Sequence, residues 1–117
     1  MSGAYHTLIG LLLPAGILEY FELVQVKQAP AGLELFLEEK NISPSGFEKQ
    51  ALESKGFLPQ VSIGDFPIRG QKVMLQVKRR RWEVKATGEI ISRDWDLVKK
   101  GTRITTEFVA FLKGMFR

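Results

Sequence analysis

Apolar positions along this chain change their spacing several times, and each change marks an element. Residues 8–13, Leu-Ile-Gly-Leu-Leu-Leu, are the most apolar stretch and predict a short core helix near the N-terminus. Pro14 suits a first helical turn, where its missing N–H costs nothing. Ala15 to Glu22 then places Ile17, Leu18 and Phe21 on one helical face. Leu23 to Lys27 reads as a strand, Ala29-Pro30-Ala31-Gly32 as a turn, and Leu33 to Glu38 as a partner strand. Residues 23–38 therefore predict a β-hairpin with Leu33, Leu35 and Leu37 facing the core.

The pattern weakens over 39–60, where Asn41, Ser43-Pro44-Ser45-Gly46 and Gly56 mark turns around a helical turn expected at Phe47 to Glu53. A second hairpin is predicted within 61–93. Val61 to Phe66 forms a short strand there and Pro67-Ile68-Arg69-Gly70 a turn. Gln71 to Val84 is the first arm, Lys85-Ala86-Thr87-Gly88 the turn and Glu89 to Arg93 the return arm. The first arm contains a conflict of parity: Val73, Leu75 and Val77 are odd, whereas Trp82 and Val84 are even. A regular strand cannot keep both sets on one face, so the intervening residues must hold a bulge or strong twist, or leave the core as a ribbon. Over 103–117, Ile104, Phe108, Phe111, Leu112, Met115 and Phe116 make one helical stripe that Thr105 or Thr106 can cap, and its expected role is packing against the sheet. The elements add up to a single α+β domain over 1–117. It has short N-terminal helices within 1–22, two antiparallel hairpins forming a small sheet, and an amphipathic C-terminal helix.

Composition narrows the chemistry. The 117 residues include no cysteine and one histidine, His6, which leaves neither thiol chemistry nor a Cys/His zinc site. No metal and no cofactor are expected. His6 has no neighbouring nucleophile signature, Gly-rich phosphate loops are absent, and Asp94 and Asp96 read as a helix cap or as partners of arginines; a non-enzymatic role is expected. The first basic residue is Lys27, and the apolar run falls well short of the ~20 residues that span a bilayer; a cytoplasmic protein is expected.

Charge is strongly segregated. Residues 1–68 carry 4 basic and 8 acidic side chains, whereas 69–103 carry 11 basic and 4 acidic, a net of +7. Four cations stand together as Lys78-Arg79-Arg80-Arg81 and are closed by Trp82. Arginine donates two parallel bonds to a phosphate and an aromatic ring can stack on a base, so this segment points to nucleic acid. The candidate contacts are Arg69, Lys72, Lys78, Arg79, Arg80, Arg81, Trp82, Lys85 and Arg93.

Several strings also carry a family resemblance. Leu13-Pro14-Ala15-Gly16-Ile17-Leu18-Glu19-Tyr20-Phe21, Ser54-Lys55-Gly56-Phe57, Asp65-Phe66-Pro67-Ile68-Arg69-Gly70-Gln71-Lys72-Val73, Lys78-Arg79-Arg80-Arg81-Trp82 and Arg93-Asp94-Trp95-Asp96 together resemble the N-terminal region of bacterial insertion-sequence transposases. In that group the region is often encoded apart from the DDE catalytic frame. The layout is more distantly similar to the zinc-ribbon domain of larger transposases, but no cysteine stands at 39–44 or 84–88, where those relatives place Cys pairs. The resemblance implies recognition of double-stranded DNA at terminal inverted repeats, without strand cleavage, beside a separately encoded DDE subunit. It leaves self-association open. A second reading makes the chain a docking module for that subunit through Phe108, Phe111, Leu112 and Met115.

Overall fold

A computed structural model describes residues 3–47, 51–100 and 105–113 of the chain. The apolar opening does form a helix, α1 (Gly3–Leu12), but it is not a core helix: none of its side chains is buried, and Leu11 is 79% exposed. Pro14 and Gly16, the latter at φ 81°, turn the chain immediately afterwards, so anchoring to the core falls to Leu13 and Ile17. The helix expected over Ala15 to Glu22 is reduced to a 3₁₀ turn, Ile17–Glu19. Phe21 already belongs to β1 (Phe21–Ala29), where its ring stacks on Trp95 at 5.4 Å between centroids. A 3₁₀ turn followed by a strand thus satisfies the same apolar spacing that suggested a helix.

β1 and β2 (Gly32–Glu39) form the predicted first hairpin around Pro30 and Ala31. A register shift between Leu23 and Gln25 breaks the alternation of β1, while Leu35 and Leu37 of β2 point into the core. β4 (Val61–Ile68) and β5 (Gln71–Lys78) form another antiparallel pair, closed by Arg69 and Gly70 at φ 53° and 79°. Both central residues are left-handed, which is the turn whose twist matches the flanking strands. The pattern did not foretell that β5 lies parallel to β2, with Leu33 opposite Val73, Leu35 opposite Leu75 and Leu37 opposite Val77. The resulting four-stranded sheet has the order β1-β2-β5-β4. Gly32 permits the close approach of β2 and β5: its φ is 150°, and a Cβ there would collide with the Lys72 carbonyl oxygen.

The parity conflict resolves by a change of sheet. After Lys78 the chain leaves the first sheet, Arg79 belongs to neither, and β6 (Arg80–Val84) enters a second, antiparallel sheet of order β3-β6-β7. Val73, Leu75 and Val77 therefore face one core, while Trp82 and Val84 are buried behind the second sheet. β7 (Glu89–Ile91) returns from the predicted turn at 85–88. β3 (Leu52–Phe57) arises within the predicted connection, placing Leu52 opposite Val84 and Ser54 opposite Trp82. Leu52 and Glu53 are thus strand residues, not the end of the expected helical turn, and positions 48–50 of that turn lie outside the described residues.

α2 (Trp95–Lys100) begins behind Asp94, whose Oδ1 accepts the Asp96 N–H at 3.0 Å, as a cap does. α3 (Thr106–Leu112) is capped by Thr105, whose hydroxyl accepts the Phe108 N–H at 3.2 Å. Phe108, Val109 and Leu112 close the core over Leu37, Leu75 and Val77. Ile104, Met115 and Phe116, expected on the same stripe, lie outside the described residues. The architecture is α+β with a C-terminal helix against the sheet.

Candidate nucleic-acid interface

The basic run sits at the junction of the two sheets, and that position sends its members to different tasks. Arg80 N–H donates to Glu39 Oε1 at 2.8 Å, and its guanidinium donates to the Glu39 carbonyl through Nε (3.2 Å) and Nη2 (3.0 Å) and to Ser54 Oγ at 2.6 Å. It lies over the Phe57 ring at 4.8 Å. Arg79 Nη1 donates to the Leu112 carbonyl at 2.5 Å, holding the end of α3. Arg93, 6% exposed, donates from Nε to Glu39 Oε2 at 2.9 Å and from Nη2 to the Ile42 carbonyl, with Tyr20 against its face at 4.9 Å. Trp82 is 2% exposed. Four of the nine candidate contacts, Arg79, Arg80, Trp82 and Arg93, are thus committed to the protein's own interior or junction. Glu39, itself 1% exposed, accounts for two of them, its buried carboxylate accepting from the Arg80 N–H and the Arg93 guanidinium in place of water; Arg79 is held instead by the Leu112 carbonyl, and Trp82 by burial of its ring.

Lys85 is exposed, yet it faces Glu53 at 3.4 Å on the outer side of the second sheet, where Lys55 approaches Glu53 at 3.2 Å and Glu83 at 3.8 Å. The hydrogen bond from Lys55, then its charge and that of Lys85, hold the Glu53 carboxyl below the ordinary carboxylate range; reciprocally, Lys55 is raised. All three side chains are well solvated, so this cluster neutralises charge without contributing much stability.

Arg69, Lys72, Lys78 and Arg81 remain, and among the described residues none of them forms an ion pair. Arg69 stands at the tip of the β4–β5 turn. Lys72 and Lys78 share the face of β5 opposite Val73, Leu75 and Val77, six residues and so roughly 20 Å apart. Between them Gln76 is buried and spent: its carbonyl accepts from Ser62 Oγ at 2.5 Å and Gln60 Nε2 at 3.2 Å, and its amide donates to Glu34 at 3.0 Å. Glu34 and Glu38 of β2 border the same face, pairing in register with Met74 and Lys78, whereas Lys72 stands opposite Gly32 and so has no carboxylate beside it on β2. Neither Glu39 nor Gln76 was singled out by sequence. An acidic residue ending an apolar strand was the only available signal for the first.

The C-terminal stripe expected to dock a partner is already occupied. Phe108 and Leu112 are buried in the core and Phe111 packs at its edge, while Met115 lies outside the described residues. A cleft of about 860 Å³ opens instead between α1, β4 and α3, lined by Leu11, Leu12, Ile63, Phe66, Ile68 and Phe111 among others. Among the described residues no group of three or more His, Asp and Glu is placed to hold a metal ion, and no helix is long and apolar enough to cross a membrane. No protein-family profile matches this chain, and no curated protein or solved structure does either.

Proposed function

We propose that the chain is a non-catalytic DNA-binding module, the N-terminal or accessory part of a transposase that recognises an element's terminal inverted repeats in the cytoplasm. The observation that carries DNA binding is the set Arg69, Lys72, Lys78 and Arg81: cations from the +7 segment that have no carboxylate partner among the described residues. Their bonds to phosphate supply the affinity, with Lys85 contributing less because Glu53 shares it. Arg79, Arg80, Arg93 and Trp82 act indirectly, by holding the junction from which β5 and β6 diverge. The transposase context is supported by the sequence resemblance, and docking through the C-terminal stripe is disfavoured by its burial.

The test is a salt titration of duplex binding, with a terminal-repeat duplex and a scrambled one of equal length. Replacing Arg69, Lys72, Lys78 and Arg81 by Ala should reduce the slope of log K against log salt by ~0.9 for each phosphate that is no longer neutralised. Unchanged affinity and slope would refute the reading. Arg69→Asn is a useful single variant because its two effects have opposite signs: Asn tolerates the left-handed turn better than Arg, so stability should rise by about 0.5–1 kcal/mol while DNA binding weakens.

A further inference from the structure

The β4–β5 hairpin turns two adjacent apolar residues outward beside its cations. Asp65 stands opposite Val73 and Ile68 opposite Gln71, so Phe66 and Pro67 together oppose the single residue Lys72. This is a β-bulge, and it suspends the alternation of side chains along β4. Asp65 and Ile68 on either side of it stay partly buried, Ile68 against the core, while Phe66 and Pro67 are both exposed, Phe66 to 87%. The rest of the tip, Arg69 to Lys72, is exposed as well. Arg69 and Lys72 form no ion pair among the described residues. Arg69 also holds a left-handed φ of 53°, which Gly or Asn adopts with less strain, and strain of this kind concentrates where function needs the residue.

Two observations choose what covers Phe66. β4 is an edge strand, but Pro67 has no N–H to offer to a further strand, so the edge is closed at this point to pairing with another protein chain. The two unpaired cations beside the ring select a polyanion, and the apolar part of a duplex polyanion is its stack of bases. Neither Phe nor Pro carries a donor or acceptor that could read a base edge in the major groove. Both serve as wedges that unstack a base step from the minor groove, where arginine and lysine accompany them. We propose that the hairpin tip enters the minor groove of the duplex, with Arg69 and Lys72 against the phosphates and Phe66 wedged between adjacent base pairs so that the helix kinks; this rests on the DNA-binding reading above. Asp65 and Glu107 line the cleft on the core side of the tip and keep the phosphates away from it.

The test is end-to-end energy transfer in a terminal-repeat duplex of about 30 base pairs, well below the persistence length of about 150, with a dye at each end and the full chain at saturating concentration. The bound duplex should be bent by about 20–90°. Phe66→Ala should bind about tenfold more weakly and leave the duplex straight, with the salt slope unchanged because no phosphate contact is lost. Its urea midpoint should match the parent's, since the ring lies outside the core. Phe66→Trp should keep the bend. Duplex binding without bending, or a bend that survives Phe66→Ala, would overturn the wedge and leave DNA binding standing. Tighter binding to either separated strand than to the duplex would also overturn it. No duplex binding at low salt would refute the DNA-binding reading and this proposal with it.

Discussion

Glu39 accepts hydrogen bonds from residues 41 and 54 positions further along the chain, and through them one carboxylate ties β2 to β6 and to the segment after β7. A buried ion pair of this kind owes its importance less to its net attraction than to what remains when one partner goes. Glu39→Ala would leave Arg93 buried against Tyr20 and Trp95 without its counter-charge. The expected cost is about 3–5 kcal/mol, seen as a lower urea midpoint. Arg81→Ala, which removes no ion pair among the described residues, should stay within about 0.5 kcal/mol of the parent. At this scale the sequence was a poor guide, because Arg80 and Arg81 are neighbours of identical chemistry. Only the strand's alternation against Ser54 and Glu39 makes one a structural tie and the other a candidate contact.

The hairpins were legible as elements because their turns and their period-two runs are local. The pairing of β2 with β5 was not, since contact between strands about 40 residues apart depends on shape and not on spacing. Two glycines separate these contributions. Gly70→Ala, at φ 79° with open space around the new methyl, should cost about 1 kcal/mol from backbone strain alone. Gly32→Ala adds a collision with the Lys72 backbone, so its destabilisation should be clearly larger. It should be accompanied by faster amide exchange from Lys72 to Lys78, the residues of β5 that pair with β2. Equal destabilisation by the two substitutions would mean that β2 and β5 do not approach this closely.

For the whole molecule, the segregated charge resolves into two functions carried by one basic segment: holding two sheets together and presenting cations outward. α1 stands apart from both: none of its side chains is buried, and its contribution to the core is the partly buried Ile9. A chain starting at Leu13 should therefore keep its thermal midpoint to within a few degrees, corresponding to about 1 kcal/mol or less. A fall of about 10 °C or more, roughly twice that stability change, would show that α1 supports the fold after all.

The sequence by itself determined the α+β class, both predicted hairpin turns, a threonine cap at 105 or 106 and the position of the break in the basic arm, because propensity, turn chemistry and residue parity act within a few residues. It also located the positive segment, since charge is a property of composition. Tertiary structure alone decided that the break transfers the chain between two sheets, that β2 runs beside β5, and that the most apolar helix lies outside the core. It likewise divided the basic run, turning Arg79, Arg80 and Arg93 inward and leaving Arg69, Lys72, Lys78 and Arg81 without ion pairs among the described residues. The reason is the same in each case: burial and ion pairing depend on which distant residues meet, so that a buried Glu39 draws in Arg80 and Arg93 while the end of α3 takes Arg79.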